Sequence, residues 1–308
     1  MLTSYSKKNF EKFQKKIMIK KKLTENAKKV DFFLSNFLNK QKKSLLVKPM
    51  KYGVISGGKK IRSTIILDTG KMLDVKERKL LNICAAVECI HSYSLIHDDL
   101  PCMDNDKVRR GKPSTHIKFG ESSAVLAGSS LLTLAFEIIT DKKNPLNFKI
   151  RNEIIKSLAS CSGHTGIAGG QELDLKFENK KKRINQIIDM QKKKTGKLFN
   201  FCLYSVGAVA NRNNREKFFL SSLGEEIGLL FQLADDFLDY KGSKKLLGKP
   251  VKKDHKQGKS TLLNLMGEKK AYLYANNLKK KILRKLEKHG KKATELISTI
   301  EFILERKF

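Results

Sequence analysis

The chain has 308 residues, 40% of them hydrophobic, which is enough to bury a sizeable core in one or two domains. This apolar content excludes a disordered protein, and the lack of any run of about 18 apolar residues excludes an ordinary membrane-spanning one. The N-terminus contains no apolar stretch typical of a secretory signal, and Glu11 argues against a basic presequence. We therefore expect a cytoplasmic protein.

The formal net charge is +33, with 64 Lys and Arg against 31 Asp and Glu. A charge of this size favours binding to nucleic acids or to anionic membranes. The lysines are nevertheless spread through every segment, without a basic patch that includes aromatic residues and without a recognisable nucleic-acid module. Trp is absent, and the composition is typical of an AT-rich genome, so we expect no nucleic-acid partner and no stable membrane anchoring.

The first third of the chain predicts a lysine-rich helix and then a glycine turn. Within residues 1–45, apolar residues recur at helical spacing between positions 30 and 38 and predict one buried stripe. The run Gly57-Gly58-Lys59-Lys60-Ile61-Arg62 then leads into an apolar helix over 61–72. Glycines before a helix let backbone N–H groups approach an anion, and the Lys and Arg of this run can point toward the same anion.

Four aspartates follow a helix that is predicted over 79–100 and is apolar or small on nearly every side. They are Asp98, Asp99, Asp104 and Asp106. Pro101 cannot continue the helix, so Asp104 has to return toward Asp98 from a loop. Carboxylates at this density need cations to neutralise them.

A second acidic cluster, Asp235-Asp236-Phe237-Leu238-Asp239, lies in an apolar helical segment. Positions i and i+4 are about 40° apart around a helix, so Asp235 and Asp239 share one face. Oxygen ligands of this kind suit Mg²⁺, which is usually completed by waters and substrate phosphates. Two carboxylate clusters with scattered Lys and Arg therefore predict a diphosphate that is held through magnesium.

The remaining segments predict an all-α protein. Helices are expected over 122–140, 149–163, 183–210, 216–240 and 268–306. Small polar turns are expected at 169–174, 194–196, 248–249 and 258–261. No alternation of β-branched residues indicates a strand. We find no domain boundary, so residues 1–308 are predicted to form one domain with a lysine-rich N-terminal helical segment at about 1–45.

In this order, the motifs resemble those of the short-chain trans-prenyltransferases, the trans-isoprenyl diphosphate synthase or polyprenyl synthetase family. The resemblance covers about residues 50–265 and rests on these stretches: Gly57 to Arg62, His91, the first aspartate motif with Arg109-Arg110-Gly111, Gly170-Gln171, Lys194-Thr195-Gly196, Phe231-Gln232 with the second aspartate motif, and Gly248-Lys249. It implies a single large helical bundle around a deep central cavity, and a homodimer. It also implies that dimethylallyl or geranyl diphosphate is ionised with the help of Mg²⁺, condenses with isopentenyl diphosphate and loses a proton, which gives farnesyl diphosphate.

The resemblance assigns roles to individual residues. Three Mg²⁺ ions per active site are expected, with Asp98, Asp104 and Asp235 as direct ligands and Asp99 and Asp239 assisting. The cations expected to complete the allylic diphosphate site are Arg109, Lys194 and Lys249. The residues expected around isopentenyl diphosphate are Gly58, Lys59, Arg62, His91 and Arg110. Thr195 and Gln232 match polar groups near the reacting carbon and are counted, with Lys194 and the three direct ligands, as catalytic.

The chemistry agrees with these roles. Ionisation of an allylic C–O bond puts negative charge on the departing diphosphate, where metal ions and Lys or Arg stabilise it. The allylic cation must be kept from water, and buried helices provide an apolar cavity for this purpose. In this family the residue five before the first aspartate helps to set product length; here it is Tyr93, about 7 Å below Asp98 along the helix. A ring at this place is expected to block growth beyond fifteen carbons.

Several positions depart from the family pattern without removing a ligand. They are Lys60 for arginine, Ser63 for proline, Ala234 for glutamine and Leu262-Leu263 for Tyr-Pro. The nearest alternative function is a geranylgeranyl or geranyl diphosphate synthase. A class I terpene cyclase is disfavoured because its second site usually carries Asn or Asp, Ser or Thr, and Glu. A basic nucleic-acid- or membrane-associated helical protein is suggested by charge alone and leaves both aspartate clusters unexplained.

Overall fold

The computed structural model describes residues 2–41, 44–55, 57–241 and 261–305, and it forms a bundle of helices. The helices are α1 (Leu2–Asn39), α2 (Val47–Ile55), α3 (Ile61–Met72), α4 (Leu81–Asp98), α5 (Thr115–Phe119), α6 (Glu121–Thr140), α7 (Phe148–Ser162), α8 (Ile167–Phe177), α9 (Ile184–Gln191), α10 (Lys197–Val209), α11 (Asn214–Lys241), α12 (Leu262–Met266), α13 (Glu268–Leu286) and α14 (Thr294–Glu305). A π-helical turn, Lys192–Gly196, joins α9 to α10, and 3₁₀ segments lie at Glu77–Lys79 and Glu287–Ala293. The predicted all-α class is confirmed.

Helix α4 lies at the centre of the bundle. It packs against α1, α2, α3, α6 and α10, and its residues from Asn82 to Ile90 are all buried. This is the behaviour predicted for a helix that is apolar or small on nearly every side. Because α4 ends at Asp98, the central helix delivers the first aspartate motif from the core of the bundle.

The predicted stripe of α1 is also confirmed. Val30, Leu34 and Leu38 are fully buried, and α1 packs on α3, α4 and α14. Some lysines of this helix have structural partners: Lys22 Nζ lies 2.9 Å from Asp68 Oδ2 on α3 and 2.8 Å from Glu295 Oε2 on α14. Part of the positive charge therefore stabilises contacts between helices.

The absence of strands was predicted wrongly at one hairpin. Strands β1 (Val108–Arg109) and β2 (Lys112–Pro113) pair antiparallel, with Arg109 opposite Lys112. The two residues between them, Arg110 and Gly111, have φ of 52° and 74°, which is the left-handed geometry of a tight hairpin turn. Strands of two residues are too short to produce an alternating pattern in the sequence.

Other boundaries also differ from the sequence prediction. The segment expected as a polar turn at 169–174 lies inside α8, and 194–196 lies in the π-helical turn. The helical tail expected over 268–306 is interrupted at Gly290, which has φ 54° and ψ −138°. Lys249 and the turn expected at 248–249 lie outside the described residues, as does most of the turn expected at 258–261.

Candidate active site

The first aspartate motif is a helix end followed by a loop that folds back on it, as predicted. Asp104 N–H donates to the Asp98 carbonyl oxygen at 2.8 Å, and Asp106 N–H donates to the Asp99 carbonyl oxygen at 3.1 Å. Pro101 lies at the outer, exposed part of this loop. The loop therefore brings the backbones of Asp98 and Asp104 into direct contact.

Asp99 of this motif is buried, and Arg109 holds its carboxylate. It is 3% exposed, and Arg109 Nε donates to Asp99 Oδ1 at 3.0 Å while Arg109 Nη2 also contacts this oxygen. Burial raises the pKa of Asp99 above its ordinary value, and the Arg109 guanidinium opposes the increase. Arg109 further reaches Asp106 at 3.3 Å, whereas Asp98 and Asp104 are only half-buried. Asp99 thus anchors Arg109 beside the other two aspartates.

A second group of cations surrounds the glycine turn. Arg110 Nη1 donates to the Gly57 carbonyl oxygen at 2.7 Å, and a Cβ at position 58 would lie 2.9 Å from the Arg110 guanidinium carbon. Gly58, which has φ 99°, therefore allows both the turn and the close approach of Arg110. Arg62 is buried, with its guanidinium 4.9 Å from the ring centroid of Phe199. The turn and the hairpin together bring Arg62 and Arg110 to one region.

His91 lies near Arg62 and Arg110 but does not itself carry a positive charge. Burial lowers its pKa well below the ordinary value, and the charges of Arg62 and Arg110 lower it further. The ring is consequently neutral near pH 7 and can exchange hydrogen bonds without adding to the local positive charge. Lys59 lies further out: it is exposed, and its Nζ is 5.4 Å from the ring centroid of Phe302 on α14.

The π-helical turn carries Lys194 and Thr195 into the bundle. Lys194 Nζ donates to Asp174 Oδ2 of α8 at 2.6 Å, and Thr195 Oγ1 donates to Gln232 Oε1 of α11 at 2.7 Å. Gln232 Nε2 in turn donates to Asp236 Oδ1 at 2.9 Å. Hydrogen bonds therefore fix this turn from both sides.

Glycines allow the turn to lie against its two neighbours. A Cβ at Gly170 of α8 would lie 2.1 Å from the Lys194 backbone nitrogen, and one at Gly228 of α11 would lie 2.6 Å from the Gly196 Cα. Contacts under 3.0 Å between such atoms are not tolerated, so the backbones can only approach this closely because no side chain intervenes. The glycines in these motifs serve helix packing rather than loop formation.

The second aspartate motif shows the same division as the first. Asp236 is 4% exposed and accepts hydrogen bonds from Gln232 and from Gln191 Nε2, the latter at 3.1 Å. Asp239 is buried too, and Asp235 is half-buried. The predicted helical face is thus present on α11, with Asp235 its most accessible carboxylate.

The two motifs lie on either side of the π-helical turn. Burial lowers the pKa of Lys194, but the charges of Asp174, Asp98 and Asp104 raise it above the ordinary value, which places this ammonium near the first motif. Thr195, the next residue, is linked through Gln232 to the second motif. The charge of Asp235 in the second motif likewise raises the pKa of Arg62, against the larger lowering by burial. The fold therefore brings Lys194 near the first carboxylate cluster and Arg62 near the second.

The donor set fits magnesium bound together with a diphosphate. Within the described residues, no three Asp, Glu, His or Cys side chains alone form a group that could hold a metal ion. Mg²⁺ rarely uses an all-protein cage and is typically bound by one or two carboxylates with waters and phosphate oxygens. Carboxylate oxygens at Asp98, Asp104 and Asp235, near Lys194 and Arg62, suit such a shared site.

Tyr93 lies one and a half turns before the aspartates on α4. It is half-buried, its hydroxyl donates to the Ser162 carbonyl oxygen of α7 at 3.4 Å, and its ring meets His97 edge to face at 5.7 Å. The ring is therefore held between α4 and α7, on the helix that delivers the first aspartate motif.

Three residues of the site were missed by sequence reasoning. Asp174 pairs with Lys194, Gln191 contacts Asp236, and Glu88 lies below the glycine turn. For the stretch that contains Asp174, the sequence predicts only a polar turn. Its spacing of three residues from Gln171 on one helix face would have indicated an inward carboxylate, whereas nothing in the sequence marks Gln191.

Comparison with known proteins identifies the family. The family described as polyprenyl synthetase matches residues 43–300, which is most of the chain. The chain belongs to the polyprenyl synthetase family. It is 40% identical over 267 residues to the farnesyl diphosphate synthase of Escherichia coli, covering 85% of this chain and 89% of that protein. It is 42% identical over 265 residues to the farnesyl diphosphate synthase of Buchnera aphidicola from Acyrthosiphon pisum, covering 82% and 92%.

Solved structures of the family share the fold. An FPP/GFPP synthase from Zymomonas mobilis superposes with a TM-score of 0.84 at 36% identity, covering 93% of this chain and 99% of that one. A geranyltransferase from Helicobacter pylori, complexed with magnesium and isoprenyl diphosphate, gives a TM-score of 0.79 at 30% identity, covering 93% and 96%. These similarities confirm that the all-helical bundle is the isoprenoid synthase fold.

Proposed function

We propose that this polyprenyl synthetase is a farnesyl diphosphate synthase, which adds isopentenyl diphosphate to dimethylallyl and then geranyl diphosphate. The observation that carries the proposal is the position of Lys194 and Thr195 between two aspartate motifs, with the cations of the glycine turn beside them. The farnesyl diphosphate synthases that resemble this chain over most of their length support the same activity.

Three half-buried aspartates, Asp98, Asp104 and Asp235, would hold Mg²⁺ together with the allylic diphosphate. When bound, these ions, three per site in our proposal, neutralise the diphosphate and make it a better leaving group. Lys194 and Arg109 donate hydrogen bonds to the same diphosphate and stabilise the charge that develops on it. Asp99 and Asp239 assist from buried positions, Asp99 by holding Arg109.

The second diphosphate binds at the glycine turn. Arg62 and Arg110 pair with isopentenyl diphosphate, Gly58 allows close approach to the backbone, and Lys59 contributes from the exposed rim. Thr195 Oγ1 and Gln232 Oε1 present dipoles toward the reacting carbons, where positive charge develops. The product is completed by loss of a proton, for which the diphosphate released in the same site is the nearest base.

Product length is set by Tyr93 in this proposal. Its ring, fixed through Ser162 and His97, lies below the aspartates and closes the path of a growing chain after fifteen carbons. The FPP/GFPP synthase among the similar structures, and the 36% identical geranylgeranyl pyrophosphate synthase 4 of Arabidopsis thaliana, keep a longer product as the alternative.

The proposed assembly is a homodimer that forms along α6. This helix is apolar and long enough to cross a membrane by length and composition, with 44% of its most apolar window buried. One side packs on α4, while Val125 and Leu126 are 42% and 53% exposed on the outer side. An apolar outer face on a helix that is already half inside the bundle suits a second copy of the chain. Light scattering with size-exclusion chromatography tests this assembly.

The test of function is an incubation with isopentenyl diphosphate and either dimethylallyl or geranyl diphosphate, with and without Mg²⁺. We expect farnesyl diphosphate from both starters, and none after removal of the metal. A twenty-carbon product would retain the enzyme class and refute the role of Tyr93. Absence of any product with either starter would refute the proposed function.

A further inference from the structure

A buried carboxylate lies beneath the glycine turn and has no role in the chemistry above. Glu88 of α4 is 2% exposed, and its Oε1 accepts hydrogen bonds from Ser63 Oγ at 2.8 Å and from Ser63 N–H at 3.3 Å. Its Oε2 lies 3.9 Å from Lys60 Nζ. Because Ser63 is in the first turn of α3, Glu88 caps this helix from a neighbouring one.

Helix α3 needs such a cap. The first N–H groups of a helix have no partner within it, and the positive end of the helix dipole favours a carboxylate. Lys60, at the N-cap position, has φ 45° and makes no side-chain cap bond, because its ammonium turns inward to Val54 and Asp31. Both the N–H and the hydroxyl of Ser63 donate to Glu88, so this carboxylate supplies the cap that Lys60 does not.

Glu88 also supplies negative charge where cations crowd together. Burial lowers the pKa of Arg62 and of Arg110, and in both cases the charge of Glu88 opposes that effect. Arg62 Nε is buried without a hydrogen-bond partner among the described residues, so aromatic faces and charge hold this guanidinium. A substrate diphosphate must find Arg62 and Arg110 already in place, since ordering them at binding costs affinity.

We propose that Glu88 is a positioning residue for isopentenyl diphosphate. It fixes the first turn of α3 through Ser63 and balances the charges of Arg62 and Arg110 before the substrate arrives. The inference rests on the proposed function, which assigns both arginines to this substrate. Glu88 itself does not contact the substrate in this proposal, because its carboxylate accepts a hydrogen bond from Ser63 and lies beside Lys60.

The decisive variant is Glu88→Gln, which keeps the size and one acceptor oxygen but removes the charge. We expect the KM for isopentenyl diphosphate to rise at least tenfold, while the KM for geranyl diphosphate stays within twofold of wild type. A simple charge effect has the opposite sign, because losing a negative charge beside two arginines tightens binding of an anion. An unchanged or lower KM for isopentenyl diphosphate would overturn the proposal.

Ser63→Ala tests the link to α3 separately, since it removes the hydroxyl bond and keeps the backbone N–H. It should raise the KM for isopentenyl diphosphate by a smaller factor. In the double variant, this KM should rise by less than the product of the two single factors, because both substitutions weaken the contact between Ser63 and Glu88. If the two factors multiply fully in the double variant, Ser63 and Glu88 act independently, and Glu88 does not act by capping α3 through Ser63.

Glu226→Gln is the matched control. Glu226 on α11 is half-buried and pairs with Lys281 at 2.9 Å and Lys285 at 2.7 Å on α13, so its loss should lower the Tm without changing either KM. If Glu88→Gln lowers the Tm and raises both KM values equally, its role is general stability and the proposal is wrong. Inactivity of the wild-type protein would instead refute the proposed function on which the inference rests.

Discussion

Removal of Asp174 is the sharpest test of how Lys194 is held. The two side chains are 2.6 Å apart, the aspartate is 7% exposed, and the pair lies between α8 and the π-helical turn. A charge-assisted hydrogen bond of this kind contributes about 1.5–3 kcal/mol. If this energy keeps the ammonium aimed at the departing diphosphate, its loss corresponds to about 10- to 150-fold in kcat, at about 1.36 kcal/mol per factor of ten.

Asp174→Ala should also change the metal requirement. Without Asp174, the Lys194 ammonium is attracted to Asp98 and Asp104, whose charges already raise its pKa. The ammonium then competes with the cations that these carboxylates would bind, so the Mg²⁺ concentration for half-maximal rate should rise. Asp174→Asn, which retains an oxygen acceptor without the charge, should lie between wild type and Asp174→Ala in both quantities.

The assay is steady-state prenyl transfer at a series of Mg²⁺ concentrations, with thermal unfolding of each variant as a check on folding. Glu172→Gln is the control, because Glu172 lies on the same helix and pairs with Lys176 at 2.7 Å, but on the exposed surface. Such pairs contribute little, so its kinetics should equal those of wild type. If Asp174→Ala folds and retains wild-type kcat and metal dependence, Asp174 does not position Lys194 for catalysis.

Three further outcomes are expected. Tyr93→Ala should lengthen the product toward twenty carbons, read by chromatography, and an unchanged chain length would remove Tyr93 from the argument. Gly170→Ala should lower the free energy of unfolding by about 2 kcal/mol, measured with urea, because a Cβ would lie 2.1 Å from the backbone of Lys194. Burial lowers the pKa of His91, so unfolding lets this ring take up a proton; stability should be full above about pH 6.5 and fall as the pH drops below it. His91→Gln should weaken that dependence between pH 7.5 and 5.5, and an identical slope for the two proteins would contradict it.

The parts of the fold that were predicted correctly have strong local signals. The periodicity of α1 and the continuous apolar character of α4 both reflect burial, which dominates the choice of secondary structure in long segments. Pro101 decided the end of α4 because its ring and missing N–H are incompatible with a continued helix. The loop that returns Asp104 to Asp98 therefore followed from one residue.

The parts that were predicted wrongly depend on contacts between distant segments. Gly169 and Gly170 suggested a turn, yet both lie in α8, and the absence of a side chain at Gly170 allows the backbone of Lys194 to approach. A glycine selected for packing cannot be distinguished, in a single sequence, from a glycine selected for its φ angle. The π-helical turn at Lys192–Gly196 also packs against α8 and α11, so its surroundings come from segments distant in the sequence.

Charge pairing across the bundle was invisible in the sequence for the same reason. Asp174 and Lys194 are separated by twenty residues, and Glu88 and Ser63 by twenty-five. A buried ion or polar group requires such a partner, because removing it from water costs free energy that only a hydrogen bond or an opposite charge can offset. The sequence motifs therefore suggest candidate metal ligands, but they do not indicate which acidic residues pair with the protein's own cations.

That distinction explains how a chain with so much positive charge maintains two acidic clusters. Asp99 and Asp236 are nearly inaccessible to solvent. Asp99 accepts hydrogen bonds from Arg109, and Asp236 accepts them from Gln232 and Gln191, so their oxygens have little remaining capacity for a metal. Asp98, Asp104 and Asp235 remain half-exposed toward the same region. Each motif thus begins with one accessible and one buried carboxylate: the buried member, Asp99 or Asp236, holds a hydrogen-bond donor of the site, and the accessible member, Asp98 or Asp235, is the one we propose as a Mg²⁺ ligand.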